Sequence, residues 1–361
     1  MAGLPTLDGV SYDVAALMAV AGHEQVVFVS DAAVGLRGII AVHSTALGPS
    51  LGGVRFWRYD TEEAALRDVL RLSEAMSYKA AMAGLDQGGG KMVVRWDDPH
   101  AERSESFVRA IGRAIDRLGG RYYAAEDVGA SQRDMDLIAL ETRYVTGVDP
   151  ARGGSGDPSP MTAFGVACGM RAACDVAFGS PDLDGRKVVV QGAGHVGAVL
   201  VDLLVDAGAS VVVADVDRER AAALGVRVVD PDDVYDEQGD VFAPCALGGV
   251  LTADRVRDRL RCRVVCGAAN NQLLDDAADV ALFGRGIVYA PDFVVNAGGI
   301  INIAHEHHPE GYAAARAREQ TARIEQTTLA VLREAARVGE PPGRHAVTMA
   351  KHRIQMAALT L

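Results

Sequence analysis

Basic charge is what this sequence most conspicuously lacks: 36 lysines and arginines stand against 48 acidic residues, a formal net charge of −12. A surface that grips nucleic acid must present cations to phosphate, so nucleic acid is excluded as the main partner and the charge is assigned to solubility. Cysteine is scarce too. The five present, Cys168, Cys174, Cys245, Cys262 and Cys266, are odd in number and sit in apolar segments. That excludes a disulfide scaffold and fits a reducing cytoplasm. Cys262 and Cys266 flank Arg263-Val264-Val265 with no histidine at ligand spacing, so no metal is expected. There is no basic-then-apolar leader at the N-terminus, and no apolar run is read as long enough to span a bilayer, so no membrane partner is expected.

What is present suits a globular chain. Its 361 residues, 49% hydrophobic and 23% charged, are enough for two domains with separate cores. Residues 1–147 read as mixed α and β. Gln25–Val29 and Leu36–Val42 suit paired strands, and Thr61–Ala83 suits a helix capped by Thr61 with Glu62 and Glu63 at its positive end. A loop Asp86–Gly90, a strand Lys91–Trp96, a helix Ser104–Leu118 and a strand Arg121–Ala125 follow. The Gly/Pro-rich stretch Arg152–Pro160 marks a boundary. A helix from about Thr162 to Phe178 leads into residues 148–339. There the strand-like runs Lys187–Gln191, Ser210–Ala214, Asp240–Ala243, Cys262–Ala268 and Gly286–Ala290 alternate with helical segments. That alternation predicts a parallel, doubly wound sheet. Ala313–Val338 reads as one long surface helix, and His345–Leu361 as a final helix.

The strongest motif is Gly192-Ala193-Gly194-His195-Val196-Gly197, preceded by the strand Val188–Val190 and opening a helix that Gly208 ends. In a dinucleotide-binding turn the first glycine makes the bend and the second lets a pyrophosphate approach the backbone. The third packs helix against strand, and the helix N-terminus faces the phosphates. Asp215 ends the next strand eighteen residues after Gly197, where a carboxylate reaches ribose hydroxyls. That carboxylate would repel a 2′-phosphate, which favours NAD over NADP. Gly88-Gly-Gly-Lys91 is not an NTPase phosphate loop, because Leu85 replaces its first glycine and Met92 its Ser or Thr.

Other polar residues are weaker signals one by one. Lys79 projects among Ala75, Met76, Met82 and Ala83, and either snorkels at an edge or faces an anion. Lys91 follows three glycines, which serve a tight turn or a closely approaching ligand. Asp127 ends a strand beside Glu126, where carboxylates often only form turns. His305-Glu306-His307-His308 reads as a solvated helix end.

Together, seven blocks resemble the leucine/valine/phenylalanine dehydrogenases, of which glutamate dehydrogenases are more distant relatives. They are Leu51-Gly-Gly-Val-Arg55, Met76-Ser-Tyr-Lys-Ala80, Gly88-Gly-Gly-Lys91, Ala125-Glu-Asp-Val-Gly129, Gly154-Ser-Gly-Asp-Pro-Ser-Pro-Met-Thr162, Gly267-Ala-Ala-Asn-Asn271 and Ala290-Pro-Asp-Phe-Val-Val-Asn-Ala-Gly-Gly299. The resemblance implies an α/β protein with an N-terminal substrate and oligomerisation domain, a Rossmann NAD-binding domain and a cleft between them. The last helix, 340–361, would return to the first domain, and the chain would form a homo-oligomer.

The resemblance also implies roles. Lys79 would hold the substrate carboxylate, Lys91 would be the general base, and Asp127 would move protons at the amino nitrogen. Leu51, Gly52, Ala125, Val294 and Asn271 would meet the substrate. Thr162, Ala243 and Asn270 would join Gly192–Gly197 and Asp215 at the cofactor. A base must be neutral, and free lysine titrates near ~10.4. A dry site and a second ammonium, expected from Lys79, would both lower that value.

Ala125 stands where the phenylalanine branch has glycine, and its methyl favours Val, Leu or Ile, with Phe as the alternative. Such a methyl discriminates by only about 1–3 kcal/mol. Val54 and Phe56-Trp57 depart from the family pattern near the pocket. Two rivals are an NAD-sensing protein without chemistry, opposed by intact Lys79, Lys91 and Asp127, and a hydroxy-acid dehydrogenase, which would want a histidine base. The activity implied is reversible oxidative deamination of an aliphatic L-amino acid to the 2-oxo acid, ammonium and NADH.

Overall fold

A computed structural model describes residues 13–98 and 102–359. The first twelve residues of the expected first domain, and the last two of the expected C-terminal helix, lie outside these described residues. The chain divides into two compact units, residues 1–77 with 87–145 and residues 78–86 with 146–361.

The first unit carries α1 (Val14–Ala21), β1 (Gln25–Asp31), β2 (Leu36–Ser44), β3 (Ser50–Trp57), most of α2 (Glu62–Met82), β4 (Gly88–Arg95), α3 (Glu105–Asp116), β5 (Tyr122–Glu126) and α4 (Gln132–Ile138). Its sheet runs β1-β2-β4-β3-β5. The expected hairpin forms, with β1 antiparallel to β2 from Gln25 opposite Val42 to Asp31 opposite Leu36. β2 and β4 are antiparallel, while β3 lies parallel to both β4 and β5. Thr61 caps α2 by accepting from the Ala64 amide.

Two readings of this unit are corrected. Gly88–Gly90 belong to β4 rather than to a loop, because side chains there would have no room. A Cβ on Gly89 would lie 2.1 Å from the Ser77 amide nitrogen, and one on Gly90 would lie 2.7 Å from Ser50 Oγ and from the Tyr122 ring. The interior strand β3 was not foreseen. Its Gly52-Gly53 pair breaks the apolar pattern that marks a strand.

The second unit contains α5 (Ser159–Phe178), β6 (Lys187–Gln191), α6 (His195–Asp206), β7 (Ser210–Ala214), α7 (Arg218–Ala222), β8 (Arg227–Val228), β9 (Val241–Pro244), α8 (Ala253–Asp258), β10 (Val264–Val265), α9 (Asp276–Gly284), β11 (Val288–Tyr289), α10 (Asp292–Val295), α11 (Gly298–Ala304), α12 (Ala314–Ala322), α13 (Ile324–Val338) and α14 (Pro342–Ala358). All pairings in its sheet are parallel, in the order β11-β10-β9-β6-β7-β8. This is the doubly wound arrangement, with its direction reversing between β6 and β9.

Three expectations change here. The long helix over Ala313–Val338 is interrupted at Arg323, and α13 is not a surface helix, since Ile324, Thr328, Val331, Leu332 and Ala335 are buried. α5 is long and apolar enough by length and composition to cross a membrane, where no such run was read. Half of it is buried in the chain, packed by α6, α11, α12 and α13. The 340–361 segment groups with the second unit, and α14 packs on α13 and α9. Arg353 on α14 donates to the carbonyls of Ala80, Ala81 and Leu85, so it caps the C-terminal end of α2. That last turn of α2, with Lys79, belongs by its packing to the second unit.

Two buried histidines bind the first unit's helices to its sheet. His43 Nε2 donates to the Ala21 carbonyl at 3.0 Å, so its Nδ1 accepts from Ser77 Oγ at 2.7 Å. His23 Nε2 lies 2.8 Å from Ser73 Oγ and 3.1 Å from the Leu70 carbonyl, and its Nδ1 is buried with no partner. The rings meet edge to face with centroids 4.9 Å apart. Burial, helped by His43, pulls His23 down to about 4 from its usual 6.5. Above pH 6.5 the ring is neutral folded or unfolded. Between 6.5 and 4 only the unfolded chain takes the proton, so stability falls as pH drops through that window. The urea midpoint of the first unit should therefore fall between pH 7 and pH 5, and His23→Gln should flatten that slope.

Candidate active site

Lys91, on β4, is the most deeply buried cation of interest, its side chain only 5% exposed. Its ammonium lies 2.9 Å from Asp127 Oδ2, just beyond β5. The same oxygen accepts from Arg55 Nε at 2.8 Å. Arg55, on β3, also reaches Asp68 Oδ2 through Nη1 at 3.3 Å, and Asp68 in turn accepts from Tyr59 Oη and Arg71.

Glycine permits this constellation. A Cβ on Gly53 would stand 2.5 Å from Asp127 Cβ, and one on Gly52 would stand 1.7 Å from the Gly90 carbonyl oxygen. The carbonyls of Gly52 and Gly53 both accept from the Tyr122 hydroxyl. Leu51 and Ala125, expected at the side-chain pocket, are buried on β3 and β5.

Burial pushes the Lys91 ammonium below the ordinary lysine range. Asp127 opposes that shift and Arg55 reinforces it. Within the first unit, Arg55 is a second cation acting on Lys91. Burial alone would raise the Asp127 carboxyl, but Lys91 and Arg55 outweigh it and hold it down to about 2. Arg55 appears in the sequence only as the end of a glycine-containing block. Its carboxylate partner lies 72 residues away, so no local spacing could reveal the pairing.

The second unit holds the remaining residues. At the end of β6, Gly192 has φ +106°, a backbone that glycine adopts at little cost. A Cβ on Gly197 would lie 2.1 Å from the Gly192 carbonyl oxygen, whereas one on Gly194 would meet nothing within 4 Å. The turn is thus tight where helix meets strand and open where a phosphate would approach. His195 and Val196 begin α6 behind Gly194. Asp215, after β7, accepts from the Ala193 amide at 2.6 Å and the Asp217 amide at 2.8 Å. This carboxylate, tied to the glycine turn at the sheet's switch point, fits a dinucleotide. Ala243 lies on β9 opposite Val190 of β6. Thr162 Oγ1 donates to the Pro158 carbonyl in the first turn of α5.

Lys79 donates to Asn270 Oδ1 at 2.9 Å, and that oxygen also accepts from Asn296 Nδ2 at 2.9 Å. Asn271 is the only non-glycine among the described residues with a left-handed backbone, φ 52°. Val294 is buried on α10. Asp292, buried just before it, accepts from the amides of Gln272 and Phe293.

The His305–His308 run is more than a solvated end. Glu306 accepts from the amides of Gly147 and Ser155 and from the Ser155 hydroxyl, which clamps the Gly/Pro-rich stretch onto the end of α11. Sequence alone could not pair Glu306 with a loop 151 residues earlier.

The Glu/Leu/Phe/Val dehydrogenase dimerisation-domain model matches residues 23–144, and the glutamate/leucine/phenylalanine/valine dehydrogenase model matches 153–221 and 213–358. The chain belongs to this dehydrogenase family. It is 48% identical over 342 residues to a leucine dehydrogenase of Thermoactinomyces intermedius, covering 94% of this chain and 92% of that one. A valine dehydrogenase of Streptomyces virginiae is also 48% identical, with 93% and 95% covered. The fold matches the crystal structure of L-tryptophan dehydrogenase from Nostoc punctiforme with a TM-score of 0.83 at 38% identity, covering 95% of this chain and 98% of that one. Members of the family are dehydrogenases whose cofactor is a nicotinamide dinucleotide.

Replacing Glu306 by Ala removes the acceptor for three donors. The second unit should lose roughly 2 kcal/mol of stability. Amide exchange at Gly147 and Ser155 should accelerate while exchange over Gly192–Gly197 stays unchanged, a contrast readable by hydrogen-exchange mass spectrometry.

Proposed function

We propose that this dehydrogenase oxidatively deaminates an aliphatic, branched-chain L-amino acid with NAD, giving the 2-oxo acid, ammonium and NADH. The observation that carries the chemistry is the buried Lys91 ammonium set against Asp127. The substrate reading is supported by leucine and valine dehydrogenases that match over more than nine-tenths of their own length. Ala125 supports it as well, since its methyl would narrow a pocket against an aromatic ring.

In this reading Lys79 binds the substrate carboxylate, and Leu51, Gly52, Ala125, Val294 and Asn271 surround the amino acid. A nicotinamide ring, when bound, supplies the hydride acceptor for Cα, and Gly192–Gly197, Asp215, Thr162, Ala243 and Asn270 would hold its dinucleotide. Loss of hydride leaves an electron-poor carbon doubly bonded to nitrogen. Water adds to that carbon while neutral Lys91 takes the proton it releases. Asp127, held as a carboxylate, takes up a proton at the amino group and returns it to the nitrogen of the water adduct. As the C–N bond breaks, the adduct's hydroxyl oxygen gives up its proton and becomes the carbonyl. The departing ammonia takes that proton and leaves as ammonium. Asp215 accepts from ribose hydroxyls and would repel a 2′-phosphate, so NAD is preferred to NADP. We also place the enzyme in the cytoplasm, and propose that it forms a homo-oligomer, a reading that the dimerisation-domain match supports.

With NAD and a panel of L-amino acids, NADH absorbance should rise fastest with Leu, Val and Ile. Faster turnover of Phe or Trp would move the substrate class to aromatics. Turnover of 2-hydroxy acids alone would sink the reading. Lys91→Ala should lower kcat/KM by about a thousandfold while NADH binding, read by fluorescence, persists. Activity within about tenfold of the parent would remove Lys91 from the base role.

The cofactor preference has its own measurement. NAD should exceed NADP in kcat/KM by about a hundredfold, and Asp215→Ser should narrow the gap. Equal use of both cofactors by the parent would contradict the role given to Asp215.

A further inference from the structure

The Lys91–Asp127 pair contains a difficulty. An ammonium against a carboxylate in a dry site is stabilised in its charged form, which opposes its use as a base. Asp127 would also be left as a buried, unbalanced charge whenever Lys91 became neutral, and such a charge is costly.

The structure supplies a second cation at the same oxygen. Arg55 Nε sits 2.8 Å from Asp127 Oδ2, the oxygen that Lys91 meets at 2.9 Å. Arg55 is itself anchored from behind, by Asp68 Oδ2 at 3.3 Å from its Nη1. β3 carries it alongside β4, and the Phe56 amide donates to the Val128 carbonyl, which ties Arg55's strand to the segment holding Asp127. Gly53 clears the space that lets Asp127 lie over β3.

We propose that Arg55 is a positioning residue of this site: its guanidinium fixes the Asp127 carboxylate and keeps it counter-charged when Lys91 gives up its proton. The inference rests on the reading of Lys91 as the base. Arg55 suits the task because a guanidinium stays protonated throughout the working range and offers two nitrogens at fixed spacing to two carboxylates. The groups facing Lys91 divide accordingly. Arg55 from β3 lowers its affinity for a proton, while Asp127 beyond β5 and Asp68 from α2 raise it. Tyr59 bonds Asp68, and Tyr122 on β5 is pushed well above the usual tyrosine range, so it stays neutral.

The test is the pH dependence of kcat/KM for amino-acid oxidation, whose acidic limb reports deprotonation of the base. Arg55→Gln leaves Asp127 to Lys91 alone and should move that limb to higher pH by about one unit. Below the limb this is a loss of about tenfold at fixed pH. Arg55→Lys restores a cation and should return the midpoint to within about half a unit of the parent. Asp68→Asn should move the limb the opposite way, to lower pH, by a smaller amount.

A purely structural role for Arg55 would lower activity or melting temperature without moving the midpoint. A folded Arg55→Gln enzyme with an unmoved limb overturns the proposal. Should Arg55→Gln not fold, the Asp68→Asn limb decides: an acid shift supports the proposal, and no shift or an alkaline one overturns it. Reductive methylation of Lys91, followed against pH by peptide mass spectrometry without substrate or cofactor, reads the same titration. An inert parent enzyme in the amino-acid panel would therefore end the functional reading, while the labelling midpoints would still judge Arg55.

Discussion

A lysine ammonium cannot sit inside a β-sheet without something to balance it, and the first unit's architecture answers that requirement at Lys91. Its side chain is 5% exposed on a strand whose neighbours are apolar. The balancing carboxylate, Asp127, must come from the end of another strand, β5, across the intervening β3. Such an approach is possible only if β3 has no side chain in the way. Gly53 meets that condition directly, and Gly52 lets the β3 and β4 backbones close up beneath. The glycines therefore follow from the ion pair. They also explain why β3 looks so little like a strand in one dimension.

Two lysines twelve positions apart are treated in opposite ways. Lys91 faces a carboxylate and a guanidinium, so its charge is contested and its proton can be moved. Lys79 donates to a neutral amide oxygen, Asn270 Oδ1, which is itself steadied by Asn296. Lys79 also lies in the field of a carboxylate, the buried Asp292, so the two lysines differ in their direct hydrogen-bond partners rather than in whether an acid faces them. A group meant to accept a proton needs the contest. The difference in partners matches the difference in proposed roles.

Much of the fold could be read from the chain because its signals are local. The paired strands β1 and β2, the Thr61 cap and the glycine turn with Asp215 each depend on residues within about two dozen positions. The alternation of strand and helix then carried the parallel sheet. The readings that changed depend on distant packing. Gly88–Gly90 looked like a loop because glycine normally breaks strands, and only the crowding from Ser77, Ser50 and Tyr122 shows why it is needed in one. Arg55, Glu306 and the His23–His43 pair act on partners many residues away in sequence, and a single chain without those contacts shows them as ordinary polar residues. Lys91 and Asp127 were visible as candidates, but their juxtaposition came from resemblance, not from spacing.

The second unit reaches its geometry by a different economy of means. The order of its strands reverses between β6 and β9, so the turn after β6 lies at the sheet's switch point. Gly192 bends the chain there, and Asp215 reaches back from β7 to accept from Ala193, which fixes the turn through its own backbone. On that braced turn, a Cβ at Gly194 would meet nothing within 4 Å. A carboxylate already committed to the turn is also held in place for ribose hydroxyls, whose donors it can meet with its remaining lone pairs. One residue thus braces the glycine turn and, in the function proposed above, also sets the charge that a 2′-phosphate would have to overcome.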